Sequence, residues 1–246
     1  MEWSKIKNIL IIALVLTNLL FIFLIISADS GEYKPDSPDL LNETVSVLEN
    51  NGITISAEIP YEEKEMAVLT LTYDEDNGTF FYTGSQKIPE LTEKTALKAA
   101  DSFVENLELP SADGNEIRKG SCFPSEEDEN MYVVTYGSYY DDYKLEDSYL
   151  ICFVTQDGVV KMKKNHASAE AAGKSRQKII PVTTALLKYM NQIKTADINA
   201  GAEITDISMV YKIEAPYDGN ITSDTAFPTW KITASDGAVS YIPAYN

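Results

Sequence analysis

The run from Ile9 to Ile26 constrains this chain more than any other feature. It holds 18 residues, and only Thr17 and Asn18 among them are polar. Wound as a helix rising ~1.5 Å per residue, it would span ~27 Å, close to the ~30 Å hydrocarbon core of a bilayer. A secretory apolar region is shorter, about 7–15 residues, and ends in a small-x-small cleavage site. Here the exit reads Ile25-Ile26-Ser27-Ala28-Asp29, with bulky Ile26 two positions before Ala28. The reading is an uncleaved transmembrane helix. Lys5 and Lys7 precede it, and Asp29, Glu32 and Asp36 follow it. Positive charge stays inside, so the N-terminus is expected in the cytoplasm and everything after about residue 28 outside, as a single-pass protein of the cell membrane. Trp3 suits the interfacial aromatic position. Asn18 carries an amide in the middle of the run; in lipid such a group bonds a partner helix or its own helix.

The residues beyond the anchor are numerous enough for one large or two small domains with real cores. Without Glu2, Asp29, Lys5 and Lys7 they hold 36 acidic and 18 basic residues. So acidic a surface repels phosphate backbones and anionic lipid headgroups, which excludes nucleic acid as an expected partner. The acidic runs Ser125–Glu129 and Asp141-Asp142 lack the regular ligand spacing of a calcium loop and read as solvated turns.

The periodicities predict an α+β fold in two similar halves, each a helix followed by antiparallel strands. Residues 1–28 form the cytoplasmic tip and anchor, 29–36 a stalk, 37–164 the first extracytoplasmic half, 165–179 a polar linker and 180–246 the second half. "SPDLLNETVSVLENNG" is a helix with Pro38 at its first position, an apolar face of Leu40, Leu41, Val45 and Leu48, and a stop at Asn51-Gly52. Strand-like runs follow at Ile53–Ile59, Met66–Tyr73 and Thr79–Tyr82, with Asn77-Gly78 reading as a hairpin turn. Thr92 is placed to cap a helix whose stripe is Ala96, Leu97, Ala100, Phe103, Val104 and Leu107. Strands are expected at Met131–Tyr136, Tyr149–Thr155 and Val159–Lys163, with a turn at Asp157-Gly158. The order then repeats. A helix with Thr183 near its start carries Ala185, Leu186, Tyr189, Met190 and Ile193 on one side. Strands at Ile204–Ile213, Phe227–Thr233 and Val239–Ile242 follow, turning at Asp236-Gly237. Trp230 shares a strand face with Ile232 and is expected to be buried.

Catalysis needs acids, bases or metals brought together, and the pattern offers little. His166 is the only histidine, in the polar stretch "KKNHASAEAAGKSRQ", and reads as exposed. No zinc spacing, nucleophile elbow or phosphate-cradling loop is present, so neither an enzyme, a cofactor, a metal nor a small-molecule substrate is expected. Cys122 and Cys152 both lie outside the membrane, where a disulfide is allowed; two unpaired cysteines are the equal alternative. "YGSYYDDY" gathers Tyr136, Tyr139, Tyr140 and Tyr143. These either pack across strands or present an aromatic contact surface to a protein or glycan.

The opening pattern M-x-W-S-K-I-K-N-I-L running into L-x-N-L, carried by Trp3, Ser4, Lys5, Lys7, Leu16, Asn18 and Leu19, resembles the YycI family. The ending Phe227-Pro228-Thr229-Trp230-Lys231-Ile232, with Asp236-Gly237 and Tyr241-Ile242, is similar to that family's closing hairpin. The family's members are membrane-anchored accessory proteins that act with the sister protein YycH on the WalK (YycG) sensor histidine kinase of Gram-positive bacteria, in cell-wall homeostasis. The resemblance implies an accessory protein that restrains the kinase through protein–protein contacts, with the kinase, a YycH-like sister and the lipid bilayer as partners and the transmembrane helix as a contact. Within the anchor, Trp3, Lys5, Lys7 and Asn18 are the candidate contact residues. Two other classes stand beside this one. The helix-then-meander units loosely resemble PepSY-type modules, which would inhibit a cell-wall enzyme or protease. An unrecognised hydrolase is the third.

Overall fold

The computed structural model describes residues 38–60, 64–83, 87–109, 114–173, 175–195, 202–214 and 222–245. The anchor, with Trp3, Lys5, Lys7 and Asn18, and the stalk lie outside the described residues. Among the described residues no helix is long and apolar enough to cross a membrane.

The first helix, α1, spans Pro38–Asn50. It stops where the sequence predicts, for a visible reason. Gly52 takes φ 77°, its N–H donates to Glu49 O at 2.9 Å, and the N–H of Ile53 donates to Leu48 O at 3.0 Å. That is the paired closure of a Schellman motif, completed by the buried side chains of Ile53 and Leu48. Helix α2 spans Glu93–Glu105, and Thr92 caps it: its hydroxyl accepts from the N–H of Thr95, whose own hydroxyl accepts from the N–H of Thr92. Helix α3 spans Val182–Thr195.

Thirteen strands are described: β1 Thr54–Ile55, β2 Glu65–Met66, β3 Leu69–Tyr73, β4 Gly78–Phe81, β5 Asn115–Pro124, β6 Tyr132–Tyr140, β7 Tyr143–Thr155, β8 Gly158–Asn165, β9 Ala167–Ala171, β10 Gln177–Lys178, β11 Glu203–Ile213, β12 Ser223–Ala234 and β13 Val239–Pro243. Eleven form one sheet, and β2 and β10 pair separately. The architecture is mixed α+β and mostly sheet. Helix α2 packs on β5 through β8, over a core that includes Ala96, Ala100, Val134, Leu150, Cys152, Val154 and Met162. Helix α3 packs on α1, β12 and β13. There Trp230 is 4% exposed and its indole N–H donates to Ile180 O at 2.9 Å. Residues 38–246 form one compact unit.

Several sequence expectations change here. The Asn77-Gly78 turn does not make a hairpin, because β3 pairs with β12 and β9 while β4 pairs with β8. The stretch 165–179, read as a polar loop, holds strands β9 and β10. The run Ile53–Ile59 contributes only β1, parallel to β11. Strand β5 has no counterpart in the sequence reading, since Arg118, Lys119 and Gly120 inside it break any alternation. The turns at Asp157-Gly158 and Asp236-Gly237 do close hairpins, β7 to β8 and β12 to β13. Strands of both halves meet edge to edge in the large sheet: β7 runs parallel to β11 at Lys144 and Leu145, and β3 of the first half pairs with β12 of the second.

Candidate functional site

The β6–β7 turn builds the aromatic part of the surface. Tyr140 and Tyr143 pair across it, and Asp141 between them takes φ 44°, a left-handed conformation that Asp tolerates better than most side chains. Both rings meet Tyr211 of β11 edge-on, at centroid distances of 6.3 Å and 6.1 Å. Such contacts add about 0.5–1.5 kcal/mol beyond area burial. Together with Lys64, Met66 and Arg176 the three rings line an open hollow of about 340 Å³. The Lys64 ammonium lies 5.5 Å from the Tyr143 ring centroid, and Arg176 stands 3.7 Å from Asp141 Oδ2. Burial, and then the neighbouring phenols of Tyr245, Tyr140 and Tyr143, hold the Tyr211 phenol above its ordinary range. The hollow can stack and donate hydrogen bonds, its cations Lys64 and Arg176 balanced by Glu65 and Asp141; among the described residues no nucleophile–base pair lines it.

The structure separates the four sequence-predicted tyrosines. Tyr136 points to α2, buried, its hydroxyl donating to Asp101 Oδ1 at 2.8 Å. Tyr139 lies under the Arg118 guanidinium at 4.6 Å, away from the hollow. Tyr211, Lys64 and Arg176 were missed by sequence reasoning. Nothing local marks them, because they come from three distant segments, beside β2, beside β10 and in β11, that only the fold brings together. Cys122 and Cys152 are both free. Each stands opposite Val134, one on either side of β6, so about two strand spacings of ~4.8 Å separate them, beyond the ~7 Å reach of a disulfide. Burial pushes the Cys152 thiol up to about 12. Among the described residues no cluster of three His, Cys, Asp or Glu is placed to hold a metal.

Two charged centres lie where the sheet's parts meet. His166, read from sequence as exposed, is buried at 3%. It sits at the step from β8 to β9, where the chain stops pairing with β7 and starts pairing with β3. Its Nδ1 lies 3.1 Å from Asp74 Oδ2, which also receives Lys164 Nζ at 2.9 Å; Lys164 reaches Asp76 at 2.6 Å as well. Asn77 brackets the His166 backbone, donating to its O at 2.9 Å and accepting from its N–H at 2.8 Å. Burial lowers the His166 pKa from 6.5, and the Asp74 carboxylate opposes that shift. Burial would lower that of Lys164 too, but the hydrogen bonds it donates to Asp76 and Asp74 raise it.

The second centre comes from a bulge. Gly137 faces Tyr149 while Ser138 faces Leu145, so Glu146, Asp147 and Ser148 have no register partner on β6. A bulge re-aims side chains. Glu146 Oε1 accepts from Lys231 Nζ at 2.6 Å and from the Tyr241 hydroxyl at 2.9 Å. Asp147 receives Lys212 at 3.3 Å and the N–H of Ile213 at 3.2 Å. Burial would raise the Glu146 pKa, but Lys231, Lys144 and Tyr241 carry it below its ordinary 4.5. The Ser148 hydroxyl donates to that of Ser138 and accepts from the N–H of Ala167, tying the bulge to β9.

A family model described as "YycI protein" matches residues 70–245. No curated protein matches. A solved structure, the crystal structure of an uncharacterized protein from Eubacterium rectale ATCC 33656 at 1.45 Å resolution, is similar at 12% identity and a TM-score of 0.43, covering 88% of this chain and 81% of that one.

Proposed function

The chain belongs to the YycI family, matched over residues 70–245, and from that premise we propose that it is a membrane-anchored extracytoplasmic accessory protein that restrains a sensor histidine kinase of WalK type. The family is one of regulators of that two-component system and not of enzymes. The match carries the reading for the outer domain. The apolar run with its inward lysines supports the single-pass topology, with the N-terminus in the cytoplasm. A YycH-like sister and the kinase are the partners this reading implies.

The anchor carries part of the specificity in this proposal. Apolar side chains alone give little preference between helices in lipid. Asn18 carries the only amide in the run, with two donors and an acceptor to offer. Interhelical bonds of this kind contribute ~0.6–2 kcal/mol. Asn18→Leu is expected to leave expression and insertion intact and to weaken co-purification with the kinase or the sister protein; replacing the whole helix weakens it further. Full association and regulation in both variants would move the interaction to the outer domain. A mature start near Asp29 on mass spectrometry of the membrane-extracted protein would remove the anchor altogether. Capture of a soluble wall enzyme in place of the kinase would favour the inhibitory-module reading.

A further inference from the structure

The sheet region under α2 has a second side. Alternation sends Val134, Leu150, Cys152, Val154 and Met162 toward α2, so their neighbours point away from it. The register assembles those neighbours into a row across five strands: Phe81 of β4 opposite Lys161 of β8, Lys161 opposite Phe153 of β7, Phe153 opposite Val133 of β6, and Val133 opposite Phe123 of β5. At ~4.8 Å per strand the row runs about 20 Å. Phe81 is 77% exposed and Phe123 43%. The adjacent row is Thr79, Lys163, Ile151 and Thr135.

These two rows carry two ammonium groups and no carboxylate, in a chain with 38 acidic and 20 basic residues. Lys161 lies 4.6 Å from the Phe153 ring centroid and 5.9 Å from that of Phe81, and Lys163 lies 5.8 Å from Phe153. Among the described residues neither lysine pairs with a carboxylate. A strip with exposed aromatic ends, half-buried Phe153 and buried Val133 between them marks a contact surface, and aromatic side chains are what interface centres favour. The charge chooses the occupant. A second copy docking through the same face on a two-fold axis would bring lysine toward lysine. An anionic bilayer would be repelled by the rest of the acidic domain.

We propose that this strip is the docking surface for a partner protein that presents an apolar ridge flanked by carboxylates. The proposal adds an outer-domain contact to the intramembrane reading above and does not depend on it. The test places a photo-crosslinking benzoylphenylalanine at Phe81 or Phe123, one at a time, in the full chain in its native membrane, with Val47 on α1 as the control position. Irradiation is expected to give one discrete adduct with a different protein from both strip positions and not from the control, the linked peptide carrying Asp or Glu beside apolar residues. Lys161→Glu with Lys163→Glu is expected to lower the yield roughly tenfold, and reversing the partner's carboxylates to lysine is expected to restore it. Phe81→Ser, at a side chain largely in solvent, gives the same loss with unchanged melting if the strip docks. An adduct with a second copy, with the chain's own N-terminal segment or with lipid overturns the proposal. So does the absence of any adduct, or a yield that charge reversal leaves unchanged.

Discussion

The two charged centres do the same job in different solvents. The Asp74 centre joins the β3–β4 segment to the step from β8 to β9, whereas the Glu146 centre joins β7 of the first sequence half to β11, β12 and β13 of the second. At the Asp74 centre the side chains of Asp74, Lys164 and His166 are each 4% exposed. At the Glu146 centre Glu146 is 12% exposed, Lys231 20% and Lys212 28%. A charge stripped of its partner at the first place finds little water, whereas at the second water can enter. The contrast teaches that partner number matters less than what replaces a lost partner.

The largest effect is therefore expected at Asp74. Asp74→Ala strands Lys164 beside Asp76 alone and leaves His166 without its acceptor. Breaking a buried pair costs ~3–5 kcal/mol when the remaining charge has no partner; Lys164 keeps its 2.6 Å bond to the more exposed Asp76, so a loss of about 3 kcal/mol is expected, measured by urea unfolding of residues 38–246. Glu146→Gln keeps the shape and the Tyr241 bond but loses the charge facing Lys231. With solvent at hand it is expected to cost about 1–2 kcal/mol, and equal losses at the two centres would erase the comparison. Next comes pH. His166 has a lowered pKa when folded, so the unfolded chain holds the proton more tightly. Its contribution is complete above 6.5 and is lost as pH falls through that range toward the folded value, at no more than ~1.4 kcal/mol per pH unit. Lys164 stays charged throughout, and Asp76, with a lowered pKa, holds its charge until more acid conditions. Glu146 also has a lowered pKa, so its contribution persists above 4.5 and fades only below it. His166→Gln is expected to flatten the stability profile between pH 5 and 7 relative to the parent; an unchanged slope refutes the assignment. The smallest effect is expected at Lys212→Met, within about 1 kcal/mol, because its pair with Asp147 is part-exposed and salt-screened.

Legibility followed the range of the physics. The caps at Thr92 and Gly52 and the turns at Asp157-Gly158 and Asp236-Gly237 were readable, since each is decided within a few residues. Asn77-Gly78 carries the same local signal and misled, because β3 and β4 each found a better partner elsewhere in the sheet. His166 misled for a related reason. Its neighbours are polar, but Asp74, Lys164 and Asn77 consume that polarity inside the protein. Of the candidate contact surface, Tyr140 and Tyr143 were legible as aromatic residues at a turn. Their company of Tyr211, Lys64 and Arg176 was not, and neither was the departure of Tyr136 to the core.

By itself the sequence determined the apolar run and its flanking charges, the three amphipathic helices with the stop of the first at Gly52 and the cap of the second at Thr92, the burial of Trp230 and the family; the second helix ends at Glu105, short of Leu107 in its expected stripe. These depend on hydrophobicity, spacing and local hydrogen bonding, which a linear chain displays. Only the tertiary structure decided strand partners, the bulge that aims Glu146 and Asp147, the separation of the two thiols and the burial of the one histidine. Register and burial are set by competition among segments far apart in the chain, and the strand that wins a given edge is not marked in its own residues.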